Sequence, residues 1–164
     1  MFQKDDYVMK VGTGLCRIED IVSLKVRGEN RKKQYYYLCP IGERKCEIYV
    51  PVDTAERTLR HLVRPEEARE LLSRVDGLGE IAAGTDRERE AACKVGIKSN
   101  DPLCLMRVAK TMYSRKRARG KAGKRSPVSE EQLLQAAENA IFAELSFVLG
   151  LPREQISSDF HSRC

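Results

Sequence analysis

Hydrophobic and polar residues follow two different periods along this chain. Through the first sixty-odd residues the pattern is short and alternating; from Pro65 onwards apolar residues recur at helical spacing. Asp6 to Val11 predicts a strand, and Gly12-Thr13-Gly14 a turn with two positions free to take φ > 0. Leu15 to Val26 predicts a long second strand. Its Cys16, Ile18, Val22, Leu24 and Val26 share one parity, whereas Leu15 and Ile21 do not, so a bend or bulge is expected near Asp20. Arg27 to Lys33 reads as a polar loop, and Gln34 to Asp53 as one β-hairpin. Tyr35-Tyr36-Tyr37-Leu38 is its first strand, Ile41-Gly42-Glu43-Arg44 its turn and Cys46 to Val50 its second strand. Pro51 has no N–H to offer a neighbour, which places it at a strand end or a sheet edge. Val52 to Leu62 reads as irregular or a short helical turn.

The helical half opens at Pro65, which suits a first helical position, with Glu66, Glu67 and Glu70 complementing the positive end of the helix dipole. Leu71, Leu72 and Val75 form its apolar side. Thr85-Asp86-Arg87-Glu88 fits a capping box that opens a helix carrying Ala91, Ala92 and Val95. Asp101-Pro102 starts a third, with Leu105, Met106, Ala109, Met112 and Tyr113 on one face, and Arg119 to Gly123 breaks it. Ser129-Glu130-Glu131-Gln132 reads as a second capping box. Leu134, Ala137, Ile141, Leu145 and Val148 then make the stripe of a long helix, interrupted by Glu138 and closed by Gly150. Pro152 to Phe160 predicts a short terminal helix.

These elements predict an α+β chain. Residues 1–62 form a small antiparallel SH3- or Tudor-like β-barrel, and residues 63–164 an all-α bundle of four or five helices. A sheet ending at Pro51 leaves an edge on which a partner strand can add.

Charge sharpens the second half. The net charge is +6, and from Arg107 to Arg125 there are nine basic residues and no acid. Such a stretch attracts polyanions, nucleic acid first, in a salt-dependent way. A solvated loop is the plainer alternative, and aromatic interleaving is confined to Tyr113, which argues against single-strand stacking. Six cysteines, none in a CxxC pair, and two histidines give no local metal motif, so neither metal nor cofactor is expected. Cys39 and Cys46 flank the hairpin turn and read as small buried hydrophobes, with a disulfide as the alternative. No leader pattern and no membrane-length apolar run is evident, so a cytoplasmic protein with reduced thiols is expected.

Chemistry of the reacting kind is missing. A nucleophile with a base and an orienter cannot be assembled around His61 and His161, and Gly12-x-Gly14 lacks the following helix of a phosphate cradle. The tyrosine run reads as core and cross-strand packing, with a recognition surface as the alternative, Met106 and Met112 as core, and Glu88 and Gln132 as caps. A non-enzymatic protein is expected.

An ordered series of residues resembles the CarD family of bacterial transcription regulators and the RNA-polymerase-interacting module of transcription-repair coupling factor. It comprises Phe2, Asp6-Tyr7-Val8, Gly12, Gly14, Ile18-Glu19-Asp20-Ile21, Gly28, Tyr36-Tyr37-Leu38, Val50-Pro51-Val52-Asp53 and Leu59-Arg60. The helical half is similar to CarD at the capped helix from Thr85, at Met112 to Lys116, and at the basic loop leading to Ser129, Gln132 and the Ala-rich helix.

The resemblance implies a barrel that docks on the RNA polymerase β subunit by edge-strand pairing, and helices that meet promoter DNA at the upstream fork and tune the open complex. The docking residues would be Lys45, Glu47, Ile48, Tyr49, Val50 and Pro51, with Lys25 and Arg27 alongside. Tyr49 stands where some family members carry an arginine. The DNA contacts, largely to the backbone, would come from Arg87, Arg107, Lys110, Arg115, Lys116, Arg117, Arg119, Lys121, Lys124 and Arg125. The family often places a tryptophan wedge at the start of the second helix of the helical domain. This chain has no tryptophan, and Asp86 stands in that register. A monomer is expected. The rival reading is a protein-interaction adaptor with a Tudor-like barrel and no nucleic-acid contact.

Overall fold

The computed structural model describes residues 1–28, 31–43 and 45–164; Glu29 and Asn30 of the predicted loop and Arg44 of the predicted turn lie outside them. The chain forms two compact units, Met1–Leu62 and Val63–Cys164. The first is an antiparallel sheet, the second a set of helices, which makes the chain α+β.

In the first unit, β1 (Tyr7–Lys10), β2 (Gly14–Lys25), β3 (Lys32–Pro40), β4 (Ile48–Pro51) and β5 (Leu59–His61) form one sheet in the order β4-β3-β2-β1-β5. Gly12 and Gly14 take φ of 77° and 93° and turn the chain from β1 into β2. The parity break is a register shift between Ile18 and Asp20: Ile18 opposes Leu38, and Asp20 opposes the next residue, Tyr37, leaving Glu19 as the extra residue. The sheet is open, not a closed barrel. Among the described residues β4 and β5 do not pair. A 3-10 turn, Val52–Arg57, joins these two borders, with Ala55 buried in the core and Val52 packed against it. That core holds Phe2, Val8, Cys16, Ile18, Tyr36, Leu38, Val50, Ala55 and Leu59. The Phe2 N–H donates to the Tyr36 hydroxyl at 3.1 Å, and the two rings meet edge to face.

Two strands differ from expectation. β3 begins three residues early because β2 pairs with it out to Lys25–Lys32, and that ladder holds polar residues extended. β5 arises where no strand is expected; three residues suffice because β1 supplies the ladder, from Val8–His61 to Lys10–Leu59.

The second unit contains α1 (Pro65–Ser73), α2 (Asp86–Ser99), α3 (Pro102–Lys121), α4 (Val128–Leu149) and α5 (Arg153–Arg163), packed around one apolar core. The cap at Thr85 is complete: its hydroxyl accepts from Glu88 N at 3.2 Å, and Glu88 Oε2 accepts from Thr85 N at 3.1 Å. Asp101 caps α3 through Cys104 N at 2.9 Å, and Gly150 closes α4 at φ 64°. Glu144, fully buried on α4, accepts the Val63 N–H at 2.9 Å and ties the start of this unit to its core.

Two helical expectations fail for identifiable reasons. Ser129 is not a cap: α4 starts at Val128, so Ser129 lies inside the first turn and donates to Glu90 Oε1 at 2.7 Å, while Gln132 faces solvent. Ala91 and Val95 are not the apolar side of α2, and Val95 is 69 % exposed. The helix instead turns Cys93, Gly96 and Ile97 inward. A Cβ on Gly96 would meet Val108 Cγ2 at 3.0 Å, so glycine sets how closely α2 approaches α3.

Candidate functional site

Two surfaces carry the candidate chemistry. The first is the β4 border. β4 pairs with β3 through Leu38–Ile48, Tyr37–Tyr49, Tyr36–Val50 and Tyr35–Pro51, and no strand lies on its other side among the described residues. An edge strand points alternate N–H and C=O groups away from its sheet, ready for a further strand. Period-two alternation sorts its side chains. Val50 is buried and Ile48 packs against the core, whereas Tyr49 is 45 % exposed on the outer face. There its ring stacks on Tyr37 with centroids 5.3 Å apart. Both phenols reach the Glu47 carboxylate: Tyr37 Oη donates to Oε1 at 3.3 Å and Tyr49 Oη to Oε2 at 3.5 Å. Burial first, and then the Glu47 charge, push the Tyr37 phenol up from its ordinary value.

The other candidates of this unit are not gathered there. Lys45 lies in the turn before β4. Lys25 opposes Lys32, three rungs past the Tyr35–Pro51 pair and one strand further in, and Arg27 lies beyond it. At about 3.3 Å per residue, Lys25 and Lys45 are separated by roughly 20 Å or more along the strand direction.

The second surface is the basic stretch of α3 and the loop after it, and much of its charge is answered internally. Lys110 is only 8 % exposed, and its amine donates to Val75 O at 2.7 Å and Asp76 O at 3.2 Å, pinning the turn after α1. Arg107 Nε donates to Gly79 O at 3.1 Å. Arg115 reaches Glu130 at 2.9 Å and Asp86 at 2.8 Å, and Arg119 reaches Glu130 at 3.2 Å and Asp86 at 3.8 Å. Arg117 donates to the Cys164 carbonyl at 3.2 Å. Arg87, Lys116, Lys121, Lys124 and Arg125 are exposed and make no ion pair among the described residues. The stretch reads as acid-free in sequence because its counterions arrive from α2 and α4.

Asp86, at the first position of α2, also accepts from Arg89 at 2.8 Å. Three arginines therefore converge on Asp86, and two of them also meet Glu130. Burial pulls the Arg115 guanidinium down most strongly, but the Glu130 and Asp86 carboxylates together outweigh it and hold it above its ordinary value. No local motif announces this cluster; Glu130 looks like a cap residue until α3 is laid beside it.

The tyrosine run divides between the two faces: Tyr36 is core, and Tyr37 packs across the strands on Tyr49. Of the three consecutive tyrosines only Tyr36 is buried, and strict alternation alone would send Tyr35 and Tyr37 to the other face. All six cysteines are free; Cys39 and Cys46 are half-buried, with the Cys39 thiol 3.9 Å from the Cys46 carbonyl. Among the described residues no three His, Cys, Asp or Glu side chains group as metal ligands.

The N-terminal unit is thus a small open sheet with a short border strand that pairs on one side only among the described residues. Residues 2–63 match the CarD-like/TRCF RID domain. The N-terminal unit is accordingly a CarD-like RNA-polymerase-interacting domain. No curated protein matches the chain.

Proposed function

We propose that this protein is a transcription regulator that holds the RNA polymerase β subunit through the β4 border and carries its helical unit to promoter DNA. The observation that carries the reading is the unpaired β4 border inside the matched segment 2–63. In this reading the open sheet is the Tudor-like form of the family, curled at the Glu19 bulge. Contact with DNA is electrostatic and made to phosphates by Arg87, Lys116, Lys121, Lys124 and Arg125, since no tryptophan is present to wedge the fork. A protein that holds polymerase and touches melted DNA better than closed DNA stabilises the open complex by that difference. About 1.4 kcal/mol of it changes the equilibrium roughly tenfold. The protein acts in the cytoplasm as a monomer, without cofactor or catalysis. Among the described residues no helix is long and apolar enough to cross a membrane.

The test has two arms. Purified protein should co-migrate with RNA polymerase and with an isolated β-lobe fragment. It should also bind a forked promoter fragment in a salt-dependent way. Co-migration without any DNA affinity would favour the adaptor reading, and failure to bind polymerase would remove the function proposed here.

A further inference from the structure

The outer face beside the β4 border has an unusual charge for a unit that is basic overall. Residues 1–64 carry 13 Lys and Arg against 9 Asp and Glu, yet among the described residues the charged side chain that the tyrosine stack touches is a carboxylate, Glu47. Directly opposed residues in an antiparallel ladder share a face, so Asp20, Tyr37 and Tyr49 form one row across β2, β3 and β4. Glu47 lies beside that row and accepts from both phenols at 3.3 and 3.5 Å. These are long contacts for a hydroxyl on a carboxylate, whose charge-assisted O–H···O⁻ bonds run to about 2.5–2.7 Å, so the carboxylate keeps acceptor capacity. It is exposed, as is Tyr49. The cations in the neighbourhood are differently placed. Lys45 precedes the strand in the turn, and Arg17, opposite Cys39, is engaged by Asp5 at 2.5 Å and Glu19 at 3.6 Å.

A strand added to β4 extends each row by one residue. The partner residue opposite Tyr49 stands about 4.5–5.5 Å away on the same face and diagonal to Glu47. A cation there lies within about 6 Å of a tyrosine ring, in range for a cation–π contact, and within reach of a carboxylate. A carboxylate there would be repelled by Glu47, and a phosphate likewise. We propose that the Tyr37–Tyr49 stack, with the Glu47 carboxylate beside it, is the receptor for a lysine or arginine side chain on the polymerase segment that adds to β4. The proposal rests on the docking function and specifies its chemistry: the recognised segment is an extended, cationic one.

The experiment measures the affinity of the full chain for RNA polymerase at low and at moderate salt, for wild type, Glu47→Gln, Glu47→Lys and Tyr49→Leu. Glu47 and Tyr49 are exposed, so the variants keep the fold, which their thermal melts verify. Glu47→Gln should bind about fivefold more weakly and shed much of its salt dependence, and Tyr49→Leu should bind about threefold more weakly. Glu47→Lys should weaken binding by about thirtyfold or more, because like charges then face each other. Wild-type affinity in both Glu47 variants overturns the cationic receptor while leaving strand addition in place. Tighter binding by Glu47→Lys would show an acidic partner instead and also overturns it. If wild type itself does not bind polymerase, the docking function and the receptor fall together.

Discussion

Arg115 on α3 grips Glu130 on α4 with Nη2 at 2.9 Å and Nε at 3.0 Å, and the Glu130 side chain is only 5 % exposed. Arg119 grips the same carboxylate through two nitrogens at 3.2 Å. Removing one partner of such a cluster leaves buried charge without an answer. Because both arginines keep a quarter of their surface in water, the cost is smaller than for a fully buried pair. Glu130→Ala should destabilise the protein by about 2–3 kcal/mol, read as a lowered midpoint in urea. Arg115→Ala should behave similarly, so weaker DNA binding in that variant would report unfolding and not a missing phosphate partner.

Lys110 separates fold from function in the opposite way. Its amine satisfies two carbonyls in the turn after α1 and is out of solvent. Lys110→Met keeps the packing of the stem and removes those bonds, which should cost about 1–3 kcal/mol. Affinity for a forked DNA fragment should stay at the wild-type level below the melting transition. A reduced salt slope in that variant would place Lys110 on DNA after all.

The exposed cations should give the complementary result. Removing one cation from a phosphate flattens the plot of log affinity against log salt by about 0.9 on duplex DNA. Replacing Lys121, Lys124 and Arg125 together by alanine should lower that slope by up to roughly three such steps and leave the unfolding midpoint nearly unchanged. An unaltered slope would show that the loop after α3 is merely solvated.

Thiol chemistry should follow burial. Cys16, Cys93 and Cys164 are each pushed up to about 11 from an ordinary value of 9.0, chiefly by desolvation. Near pH 8 an alkylating reagent should therefore modify the half-buried Cys39 and Cys46 well before Cys16 and Cys93, as peptide mass spectrometry will resolve. The unfolded chain gives up these protons first, so their contribution to stability is whole below pH 9 and fades as pH rises towards 11. Cys93→Ala should show a shallower alkaline decline in stability than wild type.

Where a feature depends on neighbours in sequence, the chain is legible. The bulge shows as a break in parity at Ile18 to Ile21, the Thr85 cap as a four-residue motif, and the close of α4 as Gly150. Where it depends on neighbours in space, sequence misleads. Val95 continues an apparent stripe, but the approach of α2 to α3 at Gly96 decides which face turns in. Glu138 interrupts the α4 stripe without explanation until His161, stacked on Tyr113 at 4.0 Å, brings Nε2 to within 2.6 Å of its carboxylate. The arginines look free for the same reason. Of the candidate border, the strand and its proline are readable, whereas the tyrosine pair across it requires the register of β3.

β4 spans four residues and ends in a proline. Two copies laid border to border would share so few rungs that neither could serve the other as a template for growth. Brevity thus acts as a filter: a visiting segment must bring side chains that bind, because main-chain pairing alone is too little to retain it. Concentrated preparations should on this account stay monodisperse, even though the border is open to water.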